Sequence, residues 1–133
     1  MTTPRLIDVT LCDEIRREDN GKFLFIGVYT GHVLVPRLPF DLPTLTFFTK
    51  WSTTAGDSLD GCFEVYSPDR KLMYRLDSPF EEGATLEGVA HVALAVRGFR
   101  FTQEGTYCLD HKPSGGRRRN LLAFDVKLRK PPA

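Results

Sequence analysis

The longest run of like charge in the 133-residue chain is Arg117, Arg118 and Arg119, carried in the stretch Lys112-Pro113-Ser114-Gly115-Gly116-Arg117-Arg118-Arg119-Asn120. Proline, serine and two glycines suffice to make a flexible turn. Three guanidinium groups on a mobile base are more than a turn needs, and they could pair with phosphates, with a nucleic acid or with an acidic protein surface. A second concentration lies near the start, where Asp13, Glu14, Glu18 and Asp19 fall within seven residues. Two converging carboxylates could do general acid and base work, as in a hydrolase. Arg16 and Arg17 are interleaved with these acids, however, and the group flanks a turn. We therefore read them as a solvated cluster protecting a strand edge, with the carboxylate hydrolase kept as an alternative.

The remaining reactive side chains do not assemble into a motif. Cys12, Cys62 and Cys108 are about fifty residues apart, with no C-x-x-C and no neighbouring histidine pair. This spacing excludes a disulfide framework and points to small buried hydrophobes in a reducing compartment. His91 has no second ligand two or four residues away, and the turn aspartates Asp57, Asp60, Asp69 and Asp77 lack calcium-loop spacing. Neither G-x-G-x-x-G, nor G-x-x-x-x-G-K-[ST], nor a nucleophile elbow is present. The expectation is a protein that is not an enzyme and has no metal and no cofactor.

Composition sets the frame for these residues. Apolar residues make up 41% of the chain and charged residues 26%, which is ordinary for one globular domain spanning residues 1–133. The longest apolar run is Phe23 to Tyr29, and Met1 is followed by Thr2-Thr3-Pro4-Arg5. We therefore expect no membrane span, no secretory leader and a cytoplasmic location. Net charge is only +1, but residues 1–96 hold nine Lys/Arg against fourteen Asp/Glu, and residues 97–133 hold nine against three.

The positioning elements read as strands throughout. From about Leu6 to Glu14, Ile7, Val9 and Leu11, with Ile15 as a further candidate in the same phase, alternate with polar residues, the period of a strand with one buried face. Asn20-Gly21 predicts a two-residue type I′ hairpin turn into a strand from Lys22 to Thr30. That second strand is apolar on both sides, with Phe23, Phe25 and Tyr29 on one and Leu24, Ile26 and Val28 on the other. It must be a central strand, or else Leu24, Ile26 and Val28 meet a loop or another subunit. Gly27 marks a bulge or a close backbone approach.

Val33 to Pro43 contains three prolines and reads as a crossing loop or edge segment, its Leu38, Phe40 and Leu42 plugging one end of the core. Leu45, Phe47, Thr49 and Trp51 share one face of a strand over 44–53, which makes Trp51 a core residue. Strands are predicted at 62–67 and 72–77 and, after a loop at 79–83, from Leu86 to Phe101. In this long strand Ala90, Val92, Leu94 and Val96 face inward, and a bulge at Gly98 returns Phe99 and Phe101 to the core. A last hairpin joins 107–111 to 120–129, and residues 130–133 form a frayed tail.

Two resemblances arise from these residues. The run Phe101 to Leu109, with Gly105 and Tyr107, resembles the tyrosine corner that opens a late strand in immunoglobulin-like and fibronectin-like sandwiches. Antibody domains carry a disulfide cysteine two residues after that tyrosine, whereas Cys108 here is adjacent to Tyr107. Asp13, Asn20-Gly21-Lys22 and Ile26-Gly27-Val28-Tyr29, followed by Gly105 and Tyr107, resemble the pattern of a family of short uncharacterised bacterial proteins. That resemblance implies a β-sandwich and assigns no catalytic residue.

The sequence thus predicts an all-β fold, an antiparallel β-sandwich of seven to nine strands, immunoglobulin-like in its last strands. Its expected function is a non-catalytic binding or assembly module whose partner is itself or another protein. Leu24, Ile26 and Val28 are the expected interface, and Asn20, Gly21, Trp51, Gly105 and Tyr107 the structural positions. The alternative is a binder of phosphate, nucleic acid or acidic protein through Arg117, Arg118 and Arg119.

Overall fold

The structure is a computed structural model and describes residues 3–80 and 88–130. Among the described residues nine strands follow one another: β1 (Arg5–Arg17), β2 (Phe23–Val28), β3 (Val33–Val35), β4 (Phe40–Thr53), β5 (Cys62–Tyr66), β6 (Leu72–Asp77), β7 (Gly88–Phe101), β8 (Gly105–Lys112) and β9 (Arg119–Leu128). They form two sheets, one ordered β2-β1-β4-β7 and the other β3-β9-β8-β5-β6. All pairs are antiparallel except β3 with β9, which run parallel. The fold is therefore all-β and mostly antiparallel. The expected loop of Glu81, Glu82 and Gly83, the strand start at Leu86 and the tail from Pro131 lie outside the described residues.

The inner faces of the two sheets enclose one aromatic core. Phe47 and Trp51 of β4, Phe63 of β5, Phe99 and Phe101 of β7 and Tyr107 of β8 are fully buried in it. The Tyr107 ring meets Phe101 edge-on at 5.5 Å and stacks on Phe124 at 5.7 Å, geometries that add to the gain from area burial. Its hydroxyl accepts from the Thr102 and Gln103 amides, each at 3.3 Å, and donates to the Gln103 carbonyl at 2.8 Å. One side chain thereby satisfies three groups of the turn that feeds β8. Trp51 is completely buried, and its indole Nε1 donates to Thr49 Oγ1 at 2.8 Å.

Several local expectations change. The lead turn is not type I′. Gly21 has φ +80° but Asn20 is not in the left-handed region, the Gly21 amide donates to the Glu18 carbonyl, and the Glu18 amide donates to the Lys22 carbonyl. This is a type I turn closed by a left-handed glycine, the longer hairpin solution. Ile7 points to solvent because the β1–β4 register shifts between Leu6 and Asp8, so that Leu6 packs on the core instead. In the proline-rich segment the edge reading holds for β3, which lies at the edge of its sheet, but not for the residues that enter the interior strand β4. Val33 and Val35 are buried in β3, and β4 begins at Phe40 and runs through Pro43.

Gly98 restores Phe99 and Phe101 to the core without the expected register slip. The β4–β7 register runs unbroken from Phe40 opposite Phe101 to Thr53 opposite Gly88. Yet Leu42 and Phe99 pack inward on one side of the Pro43 and Gly98 level, and Leu45 and Val96 pack inward on the other. Both strands change phase together, and Gly98 supplies the positive φ of +74°.

A buried polar seam lies behind Trp51. His111 is fully buried, stacks on Phe63 at 4.7 Å and donates from Nε2 to the Asp60 carbonyl at 2.9 Å. Arg119 lies over the Trp51 ring at 4.9 Å and donates from Nη2 to the Pro4 carbonyl at 2.8 Å. Burial holds the His111 imidazole below its ordinary pKa of 6.5, and the Arg119 charge adds to that, against an opposing pull from Asp60.

Two measurements check this core. Trp51→Ala should lower unfolding free energy by about 3–5 kcal/mol, read by denaturant titration; a loss under about 1 kcal/mol would place Trp51 at the surface. For His111, the unfolded chain takes up a proton near the ordinary pKa while the folded chain resists it. Stability should therefore be full well above that value and fall as pH drops through it toward the depressed folded value. His111→Phe keeps the ring stack and should flatten this acid limb by up to about 1.4 kcal/mol per pH unit.

Candidate functional site

The lead hairpin leaves the sandwich at Cys12. Up to that residue β1 pairs with β4, and from it onward β1 pairs only with β2. At the departure point the Tyr29 hydroxyl donates to the Asp13 carboxylate at 2.5 Å, and Thr46 Oγ1 donates to the Asp13 carbonyl at 3.2 Å. Burial raises the Tyr29 pKa strongly, and the hydrogen bond to Asp13 adds to the shift. Gly27, at φ +68°, is needed twice over: it supplies the left-handed backbone, and a Cβ there would run into the Asp13 carboxylate.

Freed from β4, the hairpin rolls back over the sheet's outer face. In a flat sheet β2 and β7 would be separated by three strand spacings, about 14 Å. Instead the Phe23 ring of β2 lies 5.7 Å from the His91 ring of β7. Phe48 of β4 touches both, with Phe23 at 5.1 Å and His91 stacked at 5.3 Å, and meets Phe25 at 5.0 Å. The roll leaves an open depression of about 570 Å³ beside Phe23, floored by Thr44, Thr46, Ala93 and Ala95 and bordered by Arg17 and Arg97. On the other side of Phe23 a second depression of about 540 Å³ is bordered by Lys22, Lys50 and His91. In sequence Phe48 and His91 alternate with the core residues of their strands, and that was the available signal. The roll that brings them under Phe23 had none.

The hairpin's other side is apolar and uncovered. Leu24, Ile26 and Val28 are 46%, 37% and 47% exposed. Moreover β2 is not central, as one sequence option required; it is the edge strand of its sheet.

The other candidate residues are distributed as follows. Arg118 pairs with Glu64 at 3.0 Å and covers the Tyr66 ring at 5.1 Å, Arg119 belongs to the Trp51 seam, and Arg117 is exposed. Two of the three arginines are thus engaged by the fold itself. Asp13 is held by Tyr29, Glu14 pairs with Arg16 at 3.6 Å, and Glu18 and Asp19 stand exposed at the turn. The four carboxylates are not brought to a common point. The three cysteines are free thiols, and Cys12 and Cys62 are buried. Among the described residues no group of three or more His, Cys, Asp or Glu side chains could hold a metal ion.

No curated protein matches the chain. A family model described as a family of unknown function, DUF6941, matches residues 7–118, from β1 into the arginine loop. Because that match covers most of the chain, the protein belongs to the DUF6941 family.

Proposed function

We propose that the protein is a non-catalytic assembly module that associates with a second copy of itself through the lead hairpin. The observation that carries this reading is the row Leu24, Ile26 and Val28 on an edge strand, each side chain more than a third exposed. A folded chain rarely leaves large apolar side chains in line on a sheet edge, where unpaired backbone also invites another strand. A twofold contact would set this row against its own copy and cover it with chemistry already present. The free thiols support a reducing, cytoplasmic setting for the assembly.

The sandwich is read as immunoglobulin-like. In that frame β1, β4 and β7 stand for strands A, B and E, while β5, β8 and β9 stand for C, F and G with β6 beside C. The Tyr107 corner at the start of β8 supports the assignment. The lead hairpin strand β2 is then an addition to the common frame, which suits a segment given over to contact.

Light scattering on a sizing column tests the reading. The wild type should elute as a dimer at high micromolar concentration. Leu24→Glu with Ile26→Lys places each new charge opposite its cross-strand complement, Arg16 and Glu14. The double variant should be a folded monomer, and a monomeric wild type would sink the proposal.

A further inference from the structure

We infer that the rolled outer face of the four-stranded sheet binds single-stranded nucleic acid. Phe23 lines both depressions, which lie end to end along β4 from Lys50 to Thr44 and together make the proposed track. Six residue steps of extended chain make it about 20 Å long, room for a few nucleotides. The ends of the track are cationic, with Lys22 and Lys50 at one and Arg17 and Arg97 at the other. Two carboxylates also border it. Glu14 is already paired with Arg16, and Asp8 accepts the Val9 amide at 2.9 Å.

The middle of the track suits planar rings. Phe23 is half-buried and His91 exposed, with their rings 5.7 Å apart. The Arg17 guanidinium lies over the Phe23 ring, 5.7 Å from its centroid; a base stacking there displaces it from the ring face and leaves it as a cation for the phosphate. Between the cationic ends the floor is Thr44, Thr46, Ala93 and Ala95, side chains small enough to let a strand lie against the sheet. Stacking surfaces between positive ends, on a floor with few polar groups, are the chemistry of sequence-tolerant single-strand binding. This face is distinct from the Leu24 row, and the arginine loop takes no part in it.

Fluorescence anisotropy with labelled oligothymidylate and oligouridylate tests the inference. The full chain should bind both at low salt. Four neutralised phosphates would give about a fifty-fold loss of affinity between 50 and 200 mM salt. Lys50→Glu with Arg97→Glu changes only exposed side chains and should weaken binding at least tenfold. Phe23→Leu keeps Phe48 covered and should weaken it several-fold by removing the stack, whereas Leu24→Glu with Ile26→Lys should leave it unchanged. Absence of binding at low salt overturns the inference. So does full affinity in the charge-reversed variant, loss of binding on Arg117→Ala, or competition by polyglutamate as strong as by unlabelled oligonucleotide. Because the assembly variant and the groove variants alter opposite faces, failure of one proposal is readable without the other.

Discussion

The contact between Asp13, Gly27 and Tyr29 is the constraint on which the molecule's surface depends. A carboxylate on β1 reaches the hydroxyl at the end of β2 only because the intervening residue on the partner strand has no side chain. That bond, with the Thr46 hydroxyl on the neighbouring Asp13 carbonyl, fixes where the hairpin stops being part of the flat sheet. Everything beyond it is lever arm. The roll that follows sets Phe23 and Phe25 down on Phe48 and leaves Leu24, Ile26 and Val28 facing away. A strand with two apolar faces and no place in a sheet interior thus finds cover for one face within its own chain.

The same economy operates at the other end of the sheet. Pro43 on β4 would weaken any ladder, and Gly98 on β7 would weaken any strand. Placed opposite each other in register, they let both strands turn over together, and the aromatic pair Phe99 and Phe101 enters the core beside Tyr107. Tyr107 then organises the turn between β7 and β8 through its hydroxyl. The arginine loop is drawn into this interior as well. Arg119 lies over the one tryptophan, and Arg118 neutralises the buried Glu64. What a linear reading takes for a free basic run is largely a pair of structural cations.

The parts of the fold governed by alternation were legible in the sequence. The one-face-buried patterns around Trp51 and from Ala90 to Val96 correspond to β4 and β7, and Asn20-Gly21 does sit in the hairpin connection. What escaped depends on partners far away along the chain. The pairing of Val33 to Val35 escaped because its strand mate is Val126 to Leu128, in parallel. Ile7 reads as core until the slip between Leu6 and Asp8 is known. The candidate site was half legible: the Leu24 row was visible as a second apolar phase, but the aromatic track needed three separate strands to curl together. The roles of Arg118 and Arg119 were not legible at all, since their partners Glu64 and Trp51 lie on other strands.

The parallel pairing of β3 with β9 has a consequence for the order in which the molecule can be made. The four-stranded sheet is complete once the chain has reached Phe101, but Val33 and Val35 wait for a mate that begins at Val126. Their closing bond, from the Arg129 amide to the Val35 carbonyl, joins positions far apart along the chain. During synthesis the first sheet can therefore assemble while the core it should cover stands open on one side, and the last strand shuts it. Such long-range closure is slow because the entropy of the intervening chain is lost before the contact rewards it. Until β9 emerges, that side of the aromatic interior has no cover from its own chain.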